Sequence, residues 1–196
     1  MIAMAKTQLT IDIEKALWNY TSKMGVFGCF EVTIGWYGKE RVDYMTYDTK
    51  DIWRCYEIKV SKSDFHSKAK KTFVGHFNYF VMPTELYEEV KDEIPKHIGV
   101  LVYGGYILTL VKRPKKQELM VDEQVMKNSL IRSLYRESEK VVTSENVNYV
   151  NRLKRKISKL EKDEKYYKNK WTKLSNALSL ELGWKKFHEL LDKYNL

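Results

Sequence analysis

Hydrophobic positions along this chain follow two different periods, and the change from one to the other divides it. Near the start, Ile13, Ala16, Leu17, Tyr20 and Met24 recur at helical spacing. Thr10 or Asp12 offers a capping oxygen and Gly25 ends the run, which predicts a helix. Cys29-Phe30-Glu31-Val32-Thr33-Ile34 is rich in strand formers and predicts a strand over 27–34, after which Gly35 and Gly38 turn the chain. Arg41 to Tyr47 and Ile52 to Val60 predict two more strands, joined by Asp48-Thr49-Lys50-Asp51. Ser61 and Ser63 then supply capping oxygens for a helix whose Phe65, Ala69 and Phe73 share an apolar face, to about Val74. Phe77 to Met82 predicts a strand stopped by Pro83, and Thr84 caps a short helix to Lys91. Ile98 to Tyr103 and Tyr106 to Lys112 predict a hairpin, since Gly104-Gly105 suits a two-residue turn.

Beyond Pro114-Lys115-Lys116-Gln117 the strand pattern disappears. Val121, Val125, Leu130, Ile131 and Leu134 suggest one helix. From Val150 through Leu153, Ile157, Leu160, Glu164, Tyr167, Trp171 and Leu174 to Leu178 the steps alternate between three and four, as in a heptad seam. A last amphipathic helix follows Gly183, carrying Trp184, Phe187, Leu191 and Tyr194. The expected organisation is therefore an α/β domain over 1–116 and a helical extension over 117–196. The seam has two readings: a homodimer through 150–178, or a long helix packed on its own chain.

At 196 residues the chain can bury one good core with an appendage. Its 43% hydrophobic content and 14 tyrosines describe a folded protein rather than a disordered one. A net charge of +9 favours a polyanionic partner such as nucleic acid. Cys29 and Cys55 fall on predicted strands with no Cys-x-x-Cys spacing, which suggests reduced buried thiols and a cytoplasmic location. Met1 to Thr10 holds no apolar stretch of signal-peptide length, and no run is long enough to span a membrane.

The chemistry concentrates at Asp43, Glu57 and Lys59. Strand side chains alternate faces, so Glu57 and Lys59 point the same way. A hairpin folds Asp43 back beside Glu57, within one residue of register. Two crowded carboxylates repel unless a cation holds them. Oxygen ligands of this kind suit Mg²⁺, with Mn²⁺ as a substitute, and a neighbouring lysine can orient a water. A lone Glu-x-Lys in a strand is more often a surface ion pair. Here Ile58, Val60 and Ile52-Trp53 make the strand read as half-buried and central, where unpaired charges are uncommon.

These residues resemble a known family. The order helix, strand, strand with Asp, strand with Glu-x-Lys, helix, strand is that of the PD-(D/E)XK nuclease superfamily. Glu31, then Arg41-Val42-Asp43, then Glu57-Ile58-Lys59-Val60-Ser61-Lys62-Ser63-Asp64-Phe65 is similar to the MmcB-like DNA repair proteins. So are Asn78-Tyr79-Phe80-Val81-Met82-Pro83 and Ile94-Pro95-Lys96-His97-Ile98-Gly99-Val100-Leu101-Val102. The resemblance covers roughly residues 10 to 115, and Val42 stands where the superfamily name has proline. It implies a restriction-endonuclease-like core and Mg²⁺-dependent cleavage of DNA, in repair, recombination or the processing and defence of a bacterial or phage genome. It implies metal held by Asp43, Glu57 and the backbone carbonyl of Ile58, with Lys59 beside it. An acidic residue on the first helix, here Glu14, or one ahead of the Arg-x-Asp motif, here Glu31, would complete the site.

Lys62, His66, Lys68, Lys70 and Lys71 cluster just after the Glu-x-Lys strand, and with Arg41 they are candidates for contact with a DNA backbone. Residues 145–196 add 13 Lys and Arg against 7 Asp and Glu, a second candidate surface or simply an exposed helix face. Two rival readings remain: a fold that holds DNA without cutting it, and an interaction protein whose site is a relic.

Overall fold

Six strands lie side by side in chain order in one sheet: β1 (Val26–Thr33), β2 (Arg41–Asp48), β3 (Trp53–Ile58), β4 (Phe77–Pro83), β5 (Gly99–Tyr103) and β6 (Leu108–Lys112). The first three form an antiparallel meander, β3–β4 and β4–β5 are parallel, and β6 returns antiparallel. The computed structural model describes residues 6–36, 38, 40–67 and 71–194. Helix α1 (Gln8–Thr21) precedes the sheet, α2 (Lys62–Phe65) follows β3, and α3 (Thr84–Val90) with a 3-10 turn at Lys91–Glu93 links β4 to β5. Helices α4 (Glu123–Glu145), α5 (Val147–Leu182) and α6 (Trp184–Tyr194) complete the chain. The protein is thus mixed α/β with a C-terminal helical part, and no described helix is long and apolar enough to cross a membrane.

Apolar residues on the two sides of the sheet bury against different helices. Ile13, Ala16 and Leu17 of α1 pack with Tyr44, Tyr56, Ile58, Val81 and Leu101. Met126 and Leu130 of α4 pack with Val32, Met45, Trp53 and Cys55. Phe65 and the α3 residues Leu86 and Val90 cover Phe80, Met82, Val100 and Val102. Cys29 and Cys55 are buried, and neither forms a disulfide.

Several expectations change. Helix α1 begins at Gln8, because the Thr7 hydroxyl accepts from the Thr10 amide at 3.2 Å, and Met24 lies beyond its end, fully exposed. The helix expected to reach Val74 is one turn long. The Ser61 hydroxyl accepts from the Asp64 amide to start it, and His66 closes it. Residues 71–74 are not helical, yet Phe73 still packs against the Phe65 cluster, so the apolar spacing reflects the core rather than a helix. Ala69 lies outside the described residues. Thr84 does not cap α3: Pro83 takes that place, and the Thr84 hydroxyl donates to the Tyr103 carbonyl at 3.4 Å. The hairpin turn is wider than two residues, with Tyr103 paired to Leu108 and the Gly104 amide donating to the Ile107 carbonyl.

The division of the chain also falls later than Lys116. One unit runs from Met1 to Ser138 and the other from Glu139 to Leu196. The first half of α4 belongs with the sheet because Met126 is fully buried and Leu130 nearly so in its core. Polar bonds pin it further. Arg132 donates to the carbonyls of Thr33 and Gly35, each at 2.7 Å, and Arg136 donates to that of Glu31 at 3.1 Å. These cover groups along the β1 edge that would otherwise lack a partner strand. Within the second unit, Gly183 takes φ 79° between α5 and α6, a left-handed turn that glycine adopts without strain.

Candidate active site

The residues at the ends of β2 and β3 build the site. The β2–β3 register pairs Tyr44 with Tyr56, and continuing it by one step sets Asp43 against Glu57. The ladder opens there, and the Asp43 carboxylate accepts from the Ile58 amide at 2.9 Å. Glu57 is the penultimate residue of β3, and Lys59 follows its end with its amide bonded to the Val81 carbonyl at 2.9 Å. Both side chains are buried, Glu57 at 5% and Lys59 at 4% exposure. The Lys59 ammonium lies 3.2 Å from a Glu57 oxygen and 3.2 Å from an Asp64 oxygen. The second Asp64 oxygen accepts from the Val60 amide at 3.4 Å. The short α2 turn therefore has a task, since it presents Asp64 to the lysine.

One oxygen of Glu57, Oε2, is buried with no hydrogen-bond partner. A buried carboxylate oxygen without a donor is costly. Burial, and then the charge of Asp43, push the Glu57 carboxyl up to about 7. Burial also raises Asp43, although the Ile58 amide, Lys59 and Arg41 oppose it. Burial alone would lower Lys59, but Glu57 and Asp64 outweigh it and hold the ammonium above its ordinary value. Lys59 is thus a firm cation at neutral pH, suited to placing charge rather than to accepting a proton.

Asp43, Ile58 and Lys59 line a cavity of about 200 Å³ together with Glu14, Glu31, Arg41 and Asp64. The structure thus brings Glu14, Glu31 and Asp43 to one cavity, while the buried Glu57 is not in its lining and is tied to it through Lys59. Glu31 adopts φ 53° within β1, opposite Asp43. A non-glycine residue in that left-handed region carries backbone strain, a feature that often accompanies functional positions. Glu14 and Glu31 are joined by a residue that sequence reasoning passed over. The Lys6 ammonium lies 2.6 Å from Glu14 and 3.0 Å from Glu31. Burial opposes its charge, but the two glutamates win and raise its pKa. Arg41 stands 3.7 Å from Glu31. Lys6 had no motif around it, and Asp64 stood inside the family-like run with nothing in the sequence to say that it would reach Lys59.

The basic candidates are dispersed. Arg41 and Lys62 are exposed, and Lys62 lies 3.7 Å from Glu89. Lys71 sits over the Phe65 ring at 5.6 Å. Lys68 and Lys70 lie outside the described residues. His66 bonds Glu93 at 2.7 Å, away from the carboxylates.

A divalent cation fits part of this arrangement. The unpartnered Glu57 oxygen, the raised carboxyls of Asp43 and Glu57, and the excess of carboxylates over cations all call for positive charge. Among the described residues no three His, Cys, Asp or Glu side chains converge tightly enough to hold a metal alone. Asp43, Glu57 and the Ile58 carbonyl, the set the resemblance implies, would have to hold such an ion with several waters.

No family model matches the chain, and no curated protein does either. Among solved structures, it is similar to a protein of unknown function from Silicibacter pomeroyi. The two share 18% identity and a TM-score of 0.58 over 72% of this chain and 97% of that one. That likeness concerns the fold.

Proposed function

We propose that the chain is a metal-dependent deoxyribonuclease with a PD-(D/E)XK-type core. The observation that carries this reading is the buried Glu57, with one oxygen on Lys59 and the other unpartnered, beside Asp43. Three strands, a short helix and a further strand parallel to the Glu57 strand support it, because that is the order the resemblance implies. Asp43 and Glu57 would hold Mg²⁺ or Mn²⁺ with the Ile58 carbonyl. The bound ion would polarise the scissile phosphate and make its water more acidic. Lys59, held protonated by Glu57 and Asp64, would place the attacking water and offset negative charge developing on the phosphate oxygens. The Ile58 amide fixes the Asp43 carboxylate, and the Ser61-capped turn fixes Asp64. Arg41 and Lys62, exposed near the cavity, would meet backbone phosphates, with a place in repair, recombination or genome defence.

One observation favours a non-cleaving DNA-binding module instead. Lys6 bridges Glu14 and Glu31 and already supplies a cation to that side of the cavity. Incubation of pure protein with supercoiled and linear DNA separates the readings, using Mg²⁺, Mn²⁺ or chelator. Cleavage that needs the metal, and that is lost in Asp43→Ala, Glu57→Ala and Lys59→Ala, is the expected result. Salt-dependent binding without cleavage under any divalent metal would leave the binding module standing.

A further inference from the structure

Helix α5 carries a seam that, among the described residues, nothing within its own unit covers along most of its length. From Val150 to Leu178 the seam advances by alternating steps of three and four without a break. Leu153, Ile157, Leu160, Tyr167, Trp171 and Leu174 are each between 41 and 67% exposed, and no residue of α5 is buried. Helix α6 returns against α5, where Leu178 is half-buried. A helix that packs on a globular core shows a broader stripe, whereas a strict three-four alternation is the seam of a two-helix supercoil.

The charges beside the seam identify the occupant. Taking Val150 and Leu153 as the first a and d positions, the e positions are Lys154, Glu161 and Lys168, and the g positions are Lys156, Asp163 and Lys170. In a parallel pair each g residue meets the e residue of the next heptad on the other helix. Lys156 then meets Glu161 of the second copy, and Asp163 meets its Lys168. Both pairs are attractive, and two-fold symmetry repeats them. In an antiparallel pair centred on the seam, e meets e and g meets g. If Val150 meets Leu174, Glu161 faces Glu161 and Asp163 faces Asp163, but if Leu153 meets Leu178, Glu161 faces Lys168 and Asp163 faces Lys170, and those contacts are attractive too. A slip of one heptad in the parallel pair is unfavourable, since it sets Lys156 against Lys154 or Lys168, and Asp163 against Glu161.

We propose that α5 pairs with α5 of a second copy of this chain as a coiled coil, because its flanking charges are self-complementary in the parallel register and in that antiparallel one alike. This interface does not rest on the nuclease reading. Glu164 is the single charged residue at an a position; it meets its own copy in the parallel pair or Tyr167 in the antiparallel one, and weakens the seam in both. Its replacement by leucine tightens the dimer.

Light scattering of the full chain at micromolar concentration tests the proposal, with circular dichroism as a check on helix content. The wild type is expected to have twice the chain mass. In the parallel pair the double variant Lys156→Glu with Lys168→Glu makes every flanking pair acidic, and Glu161→Lys with Asp163→Lys makes every one basic; in the antiparallel pair each breaks the Glu161–Lys168 contact. Each alone should dissociate at roughly tenfold or more higher concentration than the wild type. An equimolar mixture of the two restores attractive flanking pairs and should recover the dimer. Leu153→Cys with Leu178→Cys should form intermolecular disulfides with oxidised glutathione, because each position meets its own copy in the parallel pair and the other position in the antiparallel one. The native thiols are buried and leave that assay clear. A monomeric wild type overturns the proposal. So does a dimer that the two cysteines fail to cross-link, or one that both charge variants leave unchanged.

Discussion

At the scale of single residues, Glu57 sets the terms on which the site can work. Its carboxyl is pushed up to about 7, above the ordinary 4.5, by burial and by Asp43. A raised carboxyl favours the folded state while it holds its proton, so in the absence of divalent metal this contribution is full below about pH 4.5 and lost as pH rises through 7. Glu57→Gln removes the buried charge. Its melting temperature without metal should exceed that of the wild type at pH 8, by a stability difference of a few kcal/mol, and match it near pH 4. Equal melting curves at pH 8 would mean that Glu57 is not strained by its surroundings. Cleavage should vanish in the same variant, since glutamine is a poor ligand for the ion that an ionised Glu57 would hold. Lys6 yields a second prediction. If Glu14 or Glu31 binds metal, the Lys6 ammonium competes for the same oxygens. Lys6→Met should then lower the Mg²⁺ concentration for half-maximal cleavage, and the true ligand among Glu14→Gln and Glu31→Gln should raise it. Equal, negligible shifts in all three would confine the site to Asp43, Glu57 and Lys59.

At the scale of elements, the sheet was legible where period two met strand-forming residues, and the site came with it. Asp43 and Glu57 needed only alternation and a hairpin, which is why the register falls as expected. The misread elements share a cause: short-range spacing was given a local meaning when a distant partner decided it. Phe65 and Phe73 look like one helix face, but each is drawn to the Phe80 cluster from a different segment. Thr84 looks like a cap, but its hydroxyl goes to Tyr103. Asp64 joins the site through a one-turn helix and Lys6 through the irregular chain ahead of α1, and no period announces either. Helix α4 shows the same limit, since its helical period was plain while its burial against β1–β3 was not. That packing makes a prediction about where the sheet-bearing unit ends. Met126→Ala should destabilise it by about 2–5 kcal/mol, the range for a fully buried methionine, in a urea titration followed by tryptophan fluorescence. A loss under about 0.5 kcal/mol would detach α4 from the core and return the boundary to the region of Lys116.

At the scale of the whole molecule, the proposed coiled coil and the proposed chemistry combine into a statement about products. A single nuclease site cuts one strand per encounter, and a duplex break then needs a second, independent event. A pair of α5 helices would tether two sites in one particle, so the second strand would be cut at an effective concentration far above that of free protein. The net charge of +9 per chain doubles in the pair and favours a polyanion that both copies can hold together. Leu153→Lys with Leu160→Lys places charges in two successive layers of the seam without touching Asp43, Glu57 or Lys59, and should give a monomer with an intact site. On supercoiled plasmid with Mg²⁺, the wild type should convert circles to linear product with little nicked circle in between. The monomeric variant should accumulate nicked circles first, by about tenfold or more in the ratio of nicked to linear product, since tethering commonly raises the second event by that much or more. The same ratio from a dimeric wild type and a monomeric variant would separate the two ideas. The coiled coil would then hold the chains together for some end other than cutting both strands, and the cleavage chemistry would stand or fall on Glu57 alone.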